Sequence, residues 1–360
     1  MQPSSQVPAD VVPAQRALSD LGCYLLGGHA EDPGVLLDEA RQAEALGLGA
    51  GFLSERWSTK EASSLSGAAL AVTERLQIVI ATTNHTLRHP IVSASWATTM
   101  HRLSRGRFTP GIGRGIVPLQ KAFGMPAITT AQMEDWAGLM RRLWAGETIV
   151  DHDGPAGRYP MLRLDSSFDE QIPLALVAFG PNSLKLGGRA FDDVVLHTFF
   201  TEETLARSVQ TVKRAAEEAG RDPGQVRVWS CFATVGGHIA PDVQLKKTVA
   251  RLATYLQFYG DLMVDTNRWD PAVLERFRAD PVVSSFTEMI DGRATGEQIE
   301  HIAGLIPDEW LEPAATGTPE QCVARVEREF ATGADRVILH GATPEELTPV
   351  VEAYRAAGAA

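Results

Sequence analysis

The chain has 360 residues, 44% of them hydrophobic and 22% charged, with a formal net charge of −12. That balance suits a soluble globular protein with one large core or two smaller ones. No apolar run is long enough to span a bilayer and no signal-peptide layout opens the chain, so a cytoplasmic protein without a membrane partner is expected. The acidic surplus argues against nucleic acid and anionic membranes, but leaves room for a small anionic ligand held by local basic groups.

Residues 1–18, rich in Pro, Gln, Ser and Ala, predict a flexible N-terminal tail. From there short β-branched runs alternate with segments of helical spacing. The first strand is predicted at 21–26, turning at Gly27-Gly28-His29 into a helix that starts at Asp32-Pro33, buries Leu36, Ala40 and Ala43, and stops at Gly47. The second, at 50–53, ends in Ser54-Glu55-Arg56-Trp57, and the third, at 76–82, in Thr83-Asn84-His85. A helix from Pro90 leads to a fourth strand at 107–112, and a longer helix carries Met133, Trp136, Leu139, Met140 and Leu143. Residues 147–171, full of Asp, Gly and Pro, predict an excursion, read as a hairpin. Strands five and six follow at 172–179 and 193–197; Thr201 then caps a helix that stops at Gly220, before strand seven at 226–235.

Residues 238–315 break the rhythm and predict a helical insertion before the last unit. Thr318 with Gln321, and Thr343 with Glu346, have capping-box spacing around strand eight at 336–339. Eight β/α units predict an α/β fold, a (β/α)8 TIM barrel, with 19–360 forming a single domain; an open doubly wound sheet is the competitor.

In a TIM barrel the chemistry sits at the C-terminal strand ends. There Gly113-Arg114-Gly115 and the helix-opening Gly180-Pro181-Asn182-Ser183 suit a phosphate, with Arg88, Lys185 and Arg189 near in sequence, although such glycines also serve merely as tight turns. Trp57 stands at a strand end, whereas Trp96, Trp136 and Trp144 have core spacing. Glu55 next to Arg56 reads either as site chemistry or as a plain salt bridge, and His197 and His340 either as site groups or as packed rim residues. The histidine spacings match no metal-binding pattern, there is no G-x-S-x-G elbow, and the three separated cysteines (Cys23, Cys231, Cys322) predict reduced thiols; no metal is expected.

Arg88-His89-Pro90, Ser95-Trp96-Ala97-Thr98-Thr99, Leu103-Ser104-Arg105-Gly106-Arg107 and Gly111-Ile112-Gly113-Arg114-Gly115 occur in the order found in the luciferase-like monooxygenase superfamily, which the chain resembles. The stretch from Ala178 through Ala190 looks like that family's phosphate loop and following helix, and Gly317-Thr318-Pro319-Glu320 like its closing unit. The resemblance is greatest to the branch using coenzyme F420, a deazaflavin, and implies an F420-dependent oxidoreductase passing a hydride to or from a small organic substrate. The alternatives are a two-component monooxygenase using FMN reduced by a separate reductase, and a non-catalytic flavin-binding protein.

What the resemblance implies for residues is a ring against Thr82, Thr83 and Asn84, with Phe179 and Thr198 nearby and phosphate at Gly113–Gly115 and Gly180–Ser183. Arg114, Lys185 and Arg189 would hold the acidic cofactor tail. A non-proline cis peptide is implied at Ala81-Thr82 or Thr82-Thr83. Glu55, Arg56 and His85 become the catalytic candidates, His29 and Trp57 the substrate pocket, and a homodimer the expected assembly. The branch's sugar-phosphate dehydrogenases keep an Asp-His pair after strand two and a Glu after the glycine loop; Glu55-Arg56 and Ile116 stand there instead, which makes a sugar phosphate an unlikely substrate.

Overall fold

A computed structural model describes residues 17–165 and 167–358; the predicted tail falls almost entirely outside them. The strands, in chain order, are β1 (Leu21–Tyr24), β2 (Ala50–Leu53), β3 (Gln77–Ile80), β4 (Phe108–Thr109), β5 (Gly111–Ile112), β6 (Ile149–Gly154), β7 (Gly157–Leu162), β8 (Ala175–Val177), β9 (Asp193–Val195), β10 (Arg227–Thr234), β11 (Ala314–Ala315) and β12 (Arg336–His340). All pairings are parallel except β6 with β7, an antiparallel hairpin inside the 147–171 excursion.

The parallel order runs β4-β3-β2-β1-β12-β10-β9-β8-β5. Its two ends are one broken strand. Pro110 lacks an N–H, so the ladder is interrupted there: Phe108–Thr109 pair with β3, Gly111–Ile112 with β8, and the Pro110 carbonyl still accepts the Ala175 N–H at 2.9 Å. This joint closes the predicted barrel.

The strands are short and buried on both faces, as a sheet wrapped by helices requires. Ala50, Val79, Ala81, Ala175, Cys231 and Ile338 fill the barrel interior, beside Phe52 and Trp229, whose rings meet edge to face at 4.8 Å. A larger apolar layer lies between barrel and helices. Residues 241–311 are predominantly helical and share an apolar cluster in which Trp269 stacks on Trp310 at 4.4 Å.

Local corrections have local causes. The first helix begins at Val35, with Gly34 rather than Asp32 at its cap position; Asp32-Pro33 lies in the preceding turn, where the Asp32 N–H bonds to the His29 carbonyl. Strand five shrinks from 172–179 to Ala175–Val177, because the Leu174 N–H bonds to the Asp192 carboxylate instead of a ladder partner. The two-residue β11, beside the end of β10, had no periodic signal. Thr201, Thr318 and Thr343 do cap their helices.

Candidate active site

The C-terminal strand ends surround a cleft in two connected parts. The inner chamber, about 350 Å³, has Tyr24, Ala81, Val177, Cys231 and His340 among its linings. The outer part, about 840 Å³, is flanked by Trp57, Ile116, Leu119 and Phe123 on one side and by Phe258 and Met289 of the helical segment on the other. His29, Arg56, Arg251 and Tyr259 line both, so the two are continuous. The volumes fall in the range of small-molecule and cofactor sites, roughly 300–1,000 Å³.

The peptide Ala81-Thr82 is cis, one of the two positions expected, and its carbonyl accepts the Tyr24 hydroxyl at 2.9 Å. Thr82 and Asn84 face the outer cleft. Asn84 is fixed at both ends of its amide: Oδ1 accepts the Trp57 indole N–H at 3.0 Å, while Nδ2 donates to the Gly113 carbonyl at 2.7 Å. Trp57 therefore forms a pinned wall, with Phe123 edge-on at 5.9 Å. Thr198 is buried in the inner chamber.

Glu55 does not pair with Arg56. Its carboxylate receives both Arg88 nitrogens, at 2.7 and 3.1 Å, and the Thr83 hydroxyl, and it is nearly inaccessible. Thr83 is thereby turned from the cleft, and Arg88 is no phosphate ligand. Arg189 is likewise taken by Glu134 in two bonds of 2.7 and 2.6 Å. His85 is the clearest correction. The 3-10 turn His85–Leu87 drops its ring under Trp136, into a separate 10 Å³ cavity where Nδ1 has no partner. Burial holds its pKa down at about 4, and it lines neither part of the cleft.

The glycine loops leave adjacent strand ends, since β5 pairs with β8. Gly115 lines the outer cleft at φ +75°, and a Cβ there would meet the Asn84 amide at 3.2 Å, so the backbone is open only because the side chain is missing. Gly113 is buried, and Arg114 is exposed with its guanidinium on the Thr130 hydroxyl. Phe179, Gly180, Pro181, Asn182 and Ser183 line neither part of the cleft; Ser183 Oγ closes locally on the Gly180 carbonyl at 2.9 Å, and Phe179 stacks on His197 at 4.4 Å.

The family's profile, luciferase-like monooxygenase, matches residues 17–336. The chain belongs to the luciferase-like monooxygenase family. It is thus an oxidoreductase, one of a family in which F420 and flavin enzymes both occur. It is 23% identical over 306 residues, 83% of this chain and 87% of the other, to 5,10-methylenetetrahydromethanopterin reductase of Methanolobus tindarius. A phthiodiolone/phenolphthiodiolone dimycocerosates ketoreductase of Mycobacterium tuberculosis is 25% identical over 66% of this chain, which spans 63% of that protein's length. Among solved structures, the F420-dependent tetrahydromethanopterin reductase of Methanopyrus kandleri superposes with a TM-score of 0.74 at 17% identity, covering 92% of this chain and 97% of that one. A long-chain alkane monooxygenase superposes at 0.66 and 14%, covering 94% and 91%.

The residues suit the ring such family members hold. An apolar shelf of Ile116, Leu119 and Phe123 lines the outer cleft together with the fixed amide of Asn84 and the open backbone of Gly115. His197 and His340, open between site groups and rim residues in the sequence, fall at the chamber, whereas Lys60, Arg251, Tyr255 and Tyr259 carried no sequence signal. His197 lies in the chamber; its Nδ1–H donates to the Thr198 carbonyl at 3.1 Å, leaving Nε2 as the acceptor, and burial lowers its pKa to about 4. His340 packs edge-on against Tyr24 at 5.0 Å and is kept neutral by burial and by Arg251. Lys60 is buried with Nζ on the Leu25 carbonyl at 2.8 Å, and desolvation brings its pKa down to about 8. Arg251, Tyr255 and Tyr259 come from the 238–315 segment, whose sequence bears no periodicity pointing at the barrel mouth. Among the described residues no helix is long and apolar enough to cross a membrane, and no His/Cys/Asp/Glu group could hold a metal.

Proposed function

We propose that this chain is an F420-dependent oxidoreductase acting on a small organic substrate in the inner chamber. One observation carries F420 over flavin: the similarity to 5,10-methylenetetrahydromethanopterin reductase over 83% of this chain and 87% of that enzyme, whose structural counterpart from Methanopyrus kandleri is described as F420-dependent. The bound deazaflavin supplies or accepts the hydride.

The chain's own residues do the rest. The shelf of Ile116, Leu119 and Phe123, the pinned Trp57 and the Gly115 backbone seat the ring and exclude water from it. Gly115, at the cleft wall, meets its phosphate, with the Gly180–Ser183 helix start on the neighbouring strand end just outside the cleft lining, and the exposed Arg114 and Lys185 meet its acidic tail. Arg56, which lines both parts of the cleft, donates to the substrate and orients it. Lys60 Nζ, with a pKa near 8, is the chamber group best matched to give or take a proton near neutrality. A cytoplasmic homodimer belongs to the same reading.

Titration of the purified protein with F420 and with FMN, oxidised and reduced, followed through tryptophan fluorescence, tests the reading. F420 is expected to bind with micromolar affinity. Binding of FMN alone would replace the reading with a two-component monooxygenase fed by a separate reductase. F420 binding without turnover on any alcohol, ketone or enone would favour a non-catalytic carrier.

A further inference from the structure

The charges around the cleft can be matched one by one. Glu55 is held by Arg88 at 2.7 Å, Asp291 by Arg251 at 2.6 Å, and Glu288 by Arg293 at 2.6 Å. Lys60 bonds back to the Leu25 carbonyl and feels Glu39 behind it. Arg56 is left over. It is half-buried, lines both parts of the cleft, and forms no ion pair among the described residues. Among the described residues its guanidinium has one hydrogen-bond partner, the thioether Met289 Sδ at 3.9 Å, a weak acceptor.

The inner chamber carries Arg56, Lys60 and Arg251 and not one Asp or Glu. In a chain of net charge −12, that local surplus runs against the composition. A half-buried cation without a counter-charge is destabilising by itself, and it is the arrangement expected where a ligand brings the missing charge. Of the three chamber cations, Arg251 is paired with Asp291 and Lys60 is bonded to a backbone carbonyl, so a single guanidinium is free to meet a ligand, which suits a monoanion better than a phosphate ester, close to a dianion at pH 7. A planar guanidinium fork matches a carboxylate through two parallel N–H···O bonds. Around it, Val177, Leu196, Tyr255 and Phe258 offer an apolar, partly aromatic surface.

We propose that the substrate is a carboxylate with an apolar body, its carboxylate held by Arg56 at the chamber entrance and its body lying toward His197 and His340. This rests on the oxidoreductase reading above and adds the substrate class to it. The same cation would also suit negative charge on the cofactor ring, so the experiment must separate the two sources.

Benzoate and benzamide share a shape and differ in charge, which makes them the probes. Their binding to the full-length protein is measured by calorimetry, without cofactor and with saturating oxidised F420. Benzoate should bind at least tenfold tighter than benzamide, F420 should leave that affinity in place, and Arg56→Gln should bring benzoate down to the level of benzamide. Arg56→Lys should fall between. A melting curve of Arg56→Gln matching the parent shows that the loss is not unfolding. Equal binding of the two probes, binding of neither, or an Arg56→Gln protein that still prefers benzoate would overturn the proposal. So would competition between benzoate and F420, which would assign the guanidinium to the cofactor. If F420 fails to bind while the Arg56-dependent preference persists, the carboxylate site stands and only the cofactor assignment falls.

Discussion

Glu55 shows how a residue at the expected strand end acquires a different task from its neighbours in space. Its carboxylate sits among two Arg88 nitrogens, the Thr83 hydroxyl and, at 3.3 Å, the N–H of Ala62. Arg88 also reaches the half-exposed Glu61 at 2.5 Å. Replacing Glu55 by Gln keeps the shape but leaves a mostly buried guanidinium short of charge, a loss of about 3 kcal/mol. The urea midpoint of E55Q should fall accordingly, and E55Q combined with Arg88→Gln should lose less than the two single changes summed, because the partners share one interaction. An E55Q protein as stable as the parent, yet inactive, would return Glu55 to direct chemistry. The sequence located this residue correctly at the mouth. What it did not contain was the partner, 33 positions downstream, since i-to-j pairing across a barrel leaves no trace in spacing. His85 failed for a related reason: three residues of 3-10 turn carry it into a small cavity beside Trp136 and Trp144 instead of the cleft. Arg56 was legible as a candidate, but its lack of a counter-ion was visible only once every neighbouring carboxylate had been matched.

At the scale of elements, most of the barrel was legible, because strand and helix periods differ and each helix carries its own start signal. The capping residues Thr201, Thr318 and Thr343 bond as their spacing requires. The 238–315 segment was illegible beyond its helical content, since its inward residues meet the mouth only through tertiary placement. One helix contact makes the energetics measurable. Glu329, on the helix Pro319–Ala331, is buried against β10, where the Ser230 hydroxyl donates to it at 2.5 Å. Burial raises its pKa to about 7, with Glu202 adding to the rise and Arg325 opposing it. The folded chain therefore holds a proton that the unfolded chain, titrating near 4.5, has released. This contribution is fully present below about pH 4.5 and is lost as pH rises through 7. Replacing Glu329 by Gln, neutral throughout, removes that slope, worth on the order of 3 kcal/mol between the two limits. Melting temperatures from pH 5 to 8 should fall less steeply in E329Q, with the variant overtaking the parent near pH 8. Parallel curves for the two proteins would show that Glu329 is ionised in the fold at all these pH values.

For the whole molecule, the decisive contrast is between an acidic surface and a cationic chamber. The net charge of −12 repels an approaching anion over distances that salt controls, about 30 Å at 0.01 M and 8 Å at 0.15 M. Arg56, inside the mouth, acts at contact distance, where salt screens little. Exposed cations such as Arg114 and Lys185 would act oppositely, their attraction weakening as salt is added. The two sources thus predict different signs. If Arg56 supplies the binding, benzoate affinity between 0.01 and 0.15 M salt should hold level or tighten by a few fold, because the long-range repulsion fades while the contact pair persists. The association rate should rise over the same interval. A steep loss of affinity with salt would place the anion on the exposed rim instead, and the chamber's unmatched cation would then need another occupant. Repeating the salt series on Arg56→Gln completes the argument: with the contact pair gone, the residual weak binding should still tighten with salt, since the repelling surface is unchanged.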